Sequence, residues 1–267
     1  MHYSKSSRPY YENGFDLNRW TWKRKKKNWK QPFHIVATSN WMANCAKQSS
    51  LMHDWPISLI PYPINLREWF PIDKFLARKI LGIPLDKKII LFGAINGTKD
   101  KRKGAFFLEE ALFLLNKSNN KQNIENQIKI LVFGESSNKR SIHNLPVEFL
   151  GNFNDNISLR VIYSCADVMV VPSIQEAFGQ TASEAHACGT PVVAFRIGGL
   201  IDIVSHKKTG YLANPYDANS LALGIKWVIE DEERNKKLSR SARIKAEQKW
   251  DSRIIAKEYI NAYHSEN

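Results

Sequence analysis

Two glutamates, eight residues apart, flank a glycine in the second half of the chain. Glu176 and Glu184 lie in the segment 172–190, and Gly179 lies between them. A carboxylate accepts two hydrogen bonds from a vicinal diol, so acids at this spacing are suited to the hydroxyls of a ribose or a hexose. The residue types also allow a second interpretation, in which Glu176 is a solvated loop acid and Glu184 an ordinary acid on a helix surface.

A buried strand and a helix are needed to hold these side chains. Residues 168–171 are apolar on both faces, as is typical of a central strand in a parallel sheet, and the alanine-rich residues 180–188 predict a helix. Ligands bind where such a strand ends. The amides of Phe178, Gly179 and Gln180 are then free donors of the first helical turn, which favours an anion such as phosphate, and Gly179 has no side chain to block its approach.

A longer motif surrounds the two glutamates. From Pro172 the chain reads P-S-x-x-E-x-F-G-x-x-x-x-E-A-x-A-x-G-x-P-V-V-A, followed by Gly198-Gly199 and by residues 209–212, Thr-Gly-Tyr-Leu. Over about fifty residues this order resembles the donor-binding signature of group 1 (family 4) retaining glycosyltransferases, which have the GT-B fold. The resemblance implies an α/β fold class with a doubly wound parallel sheet, the Rossmann-like donor domain of GT-B enzymes, plus a remnant of a second α/β domain.

A second match lies upstream of this motif. An apolar strand ending at Gly93 is followed by Arg102-Lys103-Gly104 and a helix-like stretch. Relatives place a basic residue before that glycine to hold the donor diphosphate, so the resemblance assigns Lys103 to this role. The family usually has Gly-Arg directly after the strand, whereas this chain has Gly93-Ala94 and a longer loop. Whether Arg102 replaces the missing arginine is open.

The resemblance implies transfer of a hexosyl group from a nucleotide diphosphate sugar to a glycan or lipid-linked acceptor, with retention of configuration. Fixed positive charge and amide dipoles at the leaving diphosphate are the main catalytic need of such a reaction. The alternative is a non-catalytic nucleotide-sugar-binding fragment, or an interaction domain that needs a partner chain. The residues that we assign to catalysis are Lys103, Glu176 and Arg102, and those assigned to donor binding are Glu184, Phe178, Gly179, Gln180, Gly93 and Phe153.

No cofactor is expected beyond the donor, which is a substrate. The seven histidines have no paired spacing with cysteine or acidic residues that would indicate zinc, so we expect no metal site. Cys45, Cys165 and Cys188 are odd in number and lie in apolar surroundings, which indicates three buried free thiols in a reducing compartment.

Prolines between residues 61 and 71 mark a domain boundary, because each removes a backbone donor and disfavours helix before it. We predict a remnant of the acceptor domain over residues 1–66, a donor domain over 67–245 and a C-terminal crossing helix over 246–267. Most of a GT-B acceptor domain is then absent. We favour a shortened or frameshifted reading of a longer gene, and the alternatives are a half-enzyme completed by a separate chain and a fragment with no turnover. Poor solubility or a partner chain is the expected consequence.

The formal net charge is +13, and about half of it lies in the first thirty residues, where nine Lys or Arg residues face two acidic residues. Residues 19–30 interleave tryptophans with bases, so this segment is suited to an anionic membrane surface, and nucleic acid is less favoured because no binding motif accompanies it. A surface helix with Trp20 and Trp29 packed inward is the alternative. Neither a membrane span nor a secretory signal is recognisable, so we expect a cytoplasmic protein, either free or peripheral at the inner membrane face.

Overall fold

The chain is built around a twisted α/β sheet. The computed structural model describes Tyr3, Thr98 and residues 7–93, 100–118, 127–137 and 139–264. In these ranges a seven-stranded sheet has the order β5-β6-β4-β3-β7-β8-β9, and all its pairings are parallel except that of β5 with β6. The strands are β1 Ile35–Ala37, β2 Ile57–Leu59, β3 Lys88–Gly93, β4 Ile128–Phe133, β5 Ser141–Ile142, β6 Leu145–Gly151, β7 Val168–Val171, β8 Val192–Phe195 and β9 Gly210–Ala213.

Helices cover both faces of this sheet, which confirms the predicted doubly wound α/β class. Side chains of β3 alternate between two cores, with Ile89 and Leu91 on one face and Ile90 and Phe92 on the other. All four are almost fully buried, because a central parallel strand has neighbours on each side and helices above and below. The helices are α1 Leu17–Asn28, α2 Asn40–Lys47, α3 Lys74–Leu81, α4 Ala105–Ser118, α5 Asn156–Cys165, α6 Gln180–Ala187, α7 Leu200–Ile203, α8 Ala218–Ile229, α9 Glu232–Lys249 and α10 Ser252–His264.

The N-terminal part of the chain forms a separate small sheet. β1 and β2 pair in parallel over three residues each, and α2 connects them. The last helix packs against this region, where Ile60 meets Ile255 and Ala262. The amide of Ile64 also donates to the carbonyl of Trp250 at 2.7 Å. The C-terminal helix therefore returns to the start of the chain, as the resemblance implies. The domain boundaries at residues 66 and 245 stay predictions.

The three cysteines are free thiols, but they are not all buried. Burial raises the pKa of Cys165 to about 12 and also raises that of Cys188 well above its usual range. Cys45 is exposed, so the prediction for this residue was wrong. The reason is the amphipathicity of α2, which buries only Ala43 and Ala46 and turns Cys45 to the opposite side.

Candidate functional site

The predicted site residues converge on the carboxyl edge of the large sheet. A cavity of about 430 Å³ opens there, between the loop after β7 and the first turn of α2. It is lined by Trp41, Met42, Arg102, Lys103, Gln175, Glu176 and Ala177.

Lys103 and Glu176 form an ion pair in this cavity. Lys103 Nζ lies 2.9 Å from Glu176 Oε2, although 73 residues separate them in the chain. The Lys103 side chain is 32% exposed and that of Glu176 is 17% exposed, so solvent can still reach the pair. The hydroxyl of Ser173 donates to the same Glu176 oxygen at 3.3 Å. An ammonium group is thus held at the cavity by a partly exposed carboxylate.

Glycines allow the surrounding loops to approach each other closely. Gly104, at φ 68°, ends the 3-10 turn of residues 101–103, and a Cβ on it would collide with the carbonyl oxygen of Pro172. A Cβ on Gly198 would likewise collide with the carbonyl of Glu176, to which the Gly199 amide donates at 2.9 Å. Gly198 and Gly199 therefore support the backbone of the loop that carries Glu176.

The first turn of α6 presents free amides next to this loop. Gly179 is its N-cap at φ 102°, a conformation that favours glycine, and contributes no side-chain cap. Among the residues that the structure describes, the amides of Phe178, Gly179 and Gln180 donate to no protein acceptor. The Phe178 ring itself is buried, 5.3 Å from the ring of Tyr62, so only the backbone of this residue faces the edge of the sheet. Such a helix terminus is an anion-binding element.

Glu184 is half-buried on α6 and accepts only neutral hydrogen bonds. The Tyr163 hydroxyl donates to Oε2 at 2.9 Å, and the side-chain amide of Gln180 donates to Oε1 at 3.0 Å. Burial raises the pKa of Glu184, and these two hydrogen bonds offset part of the rise. Tyr163 is fully buried, and its pKa is raised, first by burial and then by the neighbouring carboxylate. Glu184 is therefore fixed in place and can accept further hydrogen bonds.

Gly93 lies at the end of β3, and Phe153 lies two residues after the end of β6. Gly93 ends β3, and a Cβ on it would collide with the ring of Phe133, which packs 5.5 Å from the ring of Tyr163. Phe153 follows β6 and packs, half-buried, against the same core. The roles of both residues in donor binding stay predictions. The segments 94–97 and 99, where this chain departs from the common Gly-Arg pattern, lie outside the described residues.

Comparison with known proteins decides the family. The model of the family described as "Glycosyl transferases group 1" matches residues 73–245, more than half of the chain. The chain belongs to the group 1 glycosyltransferases. An uncharacterized glycosyltransferase of Methanocaldococcus jannaschii is 31% identical over 199 residues, which cover 72% of this chain and 48% of that protein. This group 1 glycosyltransferase chain thus spans about half the length of the curated relatives it matches.

Solved structures agree with the family fold. The sucrose-phosphate synthase of Thermosynechococcus elongatus superposes with a TM-score of 0.75 at 30% identity, covering 94% of this chain and 62% of that one. HepE of Anabaena, in a complex with UDP and glucose, has a TM-score of 0.70 at 21% identity. The superposition covers 86% of this chain and 62% of the HepE chain. The GT-B architecture inferred from sequence is confirmed.

Arg102 is positioned less favourably than its neighbour in this group 1 glycosyltransferase. Its guanidinium pairs with Asp100 at 2.9 Å, and its side chain is 75% exposed. The Asp100 hydrogen bonds raise the pKa of Arg102. Its backbone is well placed, because its carbonyl accepts the Ile174 amide at 2.9 Å. Both cations are paired with an acid at 2.9 Å, but the Lys103 side chain is 32% exposed and that of Arg102 is 75% exposed, so Lys103 is the more enclosed cation at the cavity.

One contact holds α2 to the loop after β7 and a second holds it to α7, and sequence reasoning predicted neither. The Ser39 hydroxyl, which caps α2, donates to the Ala177 carbonyl at 2.6 Å. The Asp202 carboxylate accepts from the Asn40 amide at 2.7 Å and from its side-chain amide at 3.0 Å. The sequence signal for the first contact is the helix cap, since Ser39 directly precedes α2. No local pattern indicates the second contact.

Tyr163 is a further residue that the sequence did not single out. It lies on the buried face of α5 and reaches Glu184 across 21 residues. A tyrosine in an otherwise apolar helix face indicates only burial, because its hydroxyl partner comes from another element. Within the described ranges no group of three or more His, Cys, Asp or Glu side chains is arranged to hold a metal ion, and the expectation about metals stays a prediction.

Proposed function

We propose that this chain binds a nucleotide diphosphate sugar at the carboxyl edge of its sheet and transfers the hexosyl group with retention of configuration. The observation that carries the proposal is the Lys103–Glu176 pair, 2.9 Å apart, close to the uncapped first turn of α6. A cation and free amides around one cavity fit a diphosphate. The complex of HepE with UDP and glucose supports this choice of ligand class.

Lys103 would neutralise the leaving diphosphate. In the free protein its ammonium is held by Glu176, so an incoming diphosphate replaces one anionic partner with another at little cost. The Gly179 and Gln180 amides add fixed dipoles, which need no reorganisation as negative charge develops on the leaving group. Glu176, released from the lysine, can then accept a hydroxyl of the transferred sugar.

Glu184 would hold the ribose diol. Tyr163 and Gln180 each occupy one acceptor direction of the carboxylate, and a carboxylate has about four such directions. A charge-assisted hydrogen bond contributes roughly 1.5–3 kcal/mol, which corresponds to about tenfold to 150-fold in affinity. A glycan or lipid-linked molecule with a free hydroxyl is the proposed acceptor.

Calorimetry with UDP, GDP and ADP tests the donor site. We expect one of them to bind, and we expect Lys103→Met and Glu184→Gln each to weaken binding at least about tenfold, because each removes a charge-assisted contact. Lys101→Met and Glu110→Gln are matched controls, since both side chains are exposed and neither is part of the site. If none of the three nucleotides binds, or if both site variants bind as tightly as the wild type, the proposal is wrong.

Turnover separates an enzyme from a binding fragment. With the sugar derivative of the nucleotide that binds, we expect slow release of free hexose to water, and Lys103→Met should abolish it, because leaving-group stabilisation is lost. Binding without any release of hexose would favour the non-catalytic alternative. The anomeric configuration of a methyl glycoside formed in methanol, read by NMR, tests retention.

We also propose that α1 contacts an anionic membrane surface. None of its side chains is buried, and Trp20 is 46% exposed. Bases lie over its aromatic rings, with Arg24 5.4 Å from the ring of Trp20 and Lys26 5.2 Å from that of Trp22. Trp29 packs inward near Trp55, so the surface-helix alternative applies to that residue only. None of the helices in the described part of the chain is long and apolar enough to cross a bilayer.

Vesicle sedimentation tests this surface. We expect binding to phosphatidylcholine vesicles that contain phosphatidylglycerol, and little binding to vesicles of phosphatidylcholine alone, because basic residues add about 1 kcal/mol each near an anionic surface. Changing Lys23, Lys25 and Lys27 to Gln should release the protein, whereas the same change at Lys236, Lys249 and Lys257 should not. Stronger binding to single-stranded DNA than to anionic vesicles would instead indicate nucleic acid.

A further inference from the structure

A carboxylate outside the donor motif fixes one wall of the cavity. Asp202 lies on α7, and its two oxygens accept the backbone and side-chain amides of Asn40 at 2.7 and 3.0 Å. Asn40 is the first residue of α2, so the carboxylate also lies where the helix dipole favours negative charge. These contacts join residues 162 positions apart in the chain.

Asp202 is itself held firmly from the other side. Lys245 on α9 donates to the Asp202 carbonyl at 2.7 Å and to the Ser205 hydroxyl at 3.0 Å. The Asp202 amide donates to the Gly199 carbonyl at 3.1 Å, and Gly199 donates to Glu176. The carboxylate therefore extends from a fixed backbone that is hydrogen-bonded, through Gly199, to the loop that carries Glu176.

The residues that follow Asn40 form the opposite side of the cavity. Trp41 and Met42 line it from α2, facing Lys103 and Glu176. The Ser39 contact with Ala177 anchors the same turn a second time. Loss of the Asp202 carboxylate would remove two of the hydrogen bonds that hold this turn and would let the indole of Trp41 move away from Glu176.

We infer that Asp202 is a positioning residue, which sets the distance between α2 and the Glu176 loop and thereby shapes the pocket for the transferred sugar. This inference rests on the proposed function. The diphosphate contacts, Lys103 and the amides of α6, make no use of α2. Asp202 should therefore affect the sugar and its transfer, and not the nucleoside diphosphate.

Kinetics of donor hydrolysis test this separation. The substrate is the glucose derivative of the nucleoside diphosphate that the wild type binds. With it, we expect Asp202→Ala to lower kcat/KM about three- to tenfold. The Kd of the free nucleoside diphosphate should change less than about twofold. Asp202→Glu keeps the charge and should recover part of the activity. Asn40→Ala combined with Asp202→Ala should be no worse than Asp202→Ala alone, because both changes remove one interaction. Equal losses in nucleotide affinity and turnover, or additive losses in the double variant, would overturn the inference.

Hydrogen exchange in the absence of ligand tests the contact itself. In Asp202→Ala we expect faster exchange over residues 39–47, while β9 at residues 210–213 exchanges as in the wild type. Unchanged exchange over residues 39–47 would overturn the inference even if the donor site is correct. Failure of the wild type to bind any nucleoside diphosphate would overturn the proposed function, while the exchange experiment would still decide whether Asp202 holds α2.

Discussion

Two carboxylates, one near each end of β7, differ in the charge of their hydrogen-bond partners. At the amino end, Asp167 accepts from Lys74 at 2.8 Å, from Arg78 at 2.7 Å and from the Ile89 amide at 2.6 Å. At the carboxyl end, Glu184 on the following helix accepts from two neutral donors. The first carboxylate is saturated with charged partners, and the second keeps acceptor capacity.

The pKa values follow this difference. Burial raises the pKa of Asp167, but Lys74 and Arg78 together outweigh burial, so its net pKa is lowered. Burial also raises the pKa of Glu184, and no cation compensates, so its net pKa stays raised. A buried carboxylate whose partners are complete stabilises the fold. One that remains partly unsatisfied is costly to keep and is available to a ligand.

The largest expected effect is at the amino end. Asp167→Ala should lower the free energy of unfolding by about 3–5 kcal/mol, because Arg78 is left as an unpaired charge in a buried site. Urea unfolding followed by circular dichroism measures it, and Asp86→Ala, at an exposed aspartate, is the control. A loss below about 1 kcal/mol would mean that the two ends of β7 do not differ as described.

The pH dependence sharpens this result. Because the pKa of Asp167 is lowered in the folded state, its contribution to stability is present above the ordinary aspartate value of 3.8 and is lost as the pH falls through the lowered pKa. The stability difference between wild type and Asp167→Ala should therefore shrink below about pH 4. Unfolding curves at a series of acid pH values test this, and a constant difference would contradict the assignment.

A glycine exchange at the carboxyl end should have an intermediate effect. Gly104→Ala combines an unfavourable φ of 68° with a collision at Pro172, whereas Gly82→Ala at φ 65° meets nothing within 4 Å. We expect the Gly104 variant to lose about 1–3 kcal/mol more stability than the Gly82 variant, and to bind the nucleoside diphosphate more weakly because Lys103 is displaced. Thermal unfolding measures the stabilities of the two variants, and calorimetry measures their nucleotide affinities. Equal stabilities would contradict the prediction.

Glu184→Gln should have a smaller effect on stability, and of opposite sign to Asp167→Ala. The raised pKa means that the ionised form is disfavoured in the folded state, so a neutral side chain raises the melting temperature at pH 7. The gain should shrink as the pH falls below the raised pKa and should be absent below the ordinary glutamate value of 4.5, because the wild-type side chain is then neutral in both the folded and the unfolded state. Calorimetric scans at pH 7 and pH 4 measure the difference in melting temperature between the variant and the wild type. A lower melting temperature of the variant at pH 7 would contradict the contrast between Asp167 and Glu184.

The smallest effect is expected for Arg102. Its side chain is 75% exposed and paired with Asp100, so Arg102→Ala should leave the melting temperature nearly unchanged and should change nucleotide affinity less than about fivefold. The calorimetric titration proposed for Lys103→Met measures this in parallel. An effect as large as that of Lys103→Met would show that Arg102 replaces the arginine expected after the strand.

Local signals explain which parts of the fold were predictable. Val168–Val171 was predicted with its observed bounds, and the helix Gln180–Ala187 to within one residue, because an apolar run and an alanine-rich segment are encoded locally. The helix Lys74–Leu81 was not predicted. Its apolar positions alternate with bases in a short segment that follows several prolines, so its periodicity is weak.

The site was predictable in its motif residues and not in their partners. The positions of Glu176, Gly179 and Glu184 follow from one continuous segment, where spacing determines geometry. The partners of these residues come from elements distant in sequence, as Tyr163 does for Glu184 and Lys103 for Glu176, and tertiary packing brings them together. The exposure of Cys45 was missed because apolar neighbours in sequence do not determine which face of a helix is buried.

The unequal burial of the three thiols provides a labelling site without mutagenesis. Cys165 and Cys188 are enclosed and hard to ionise, so a maleimide fluorophore should attach at Cys45 alone. This residue lies on α2, whose first turn is bound by Asp202. A dye at this position would report on the wild-type chain, in real time, whether that helix shifts when a sugar nucleotide is added.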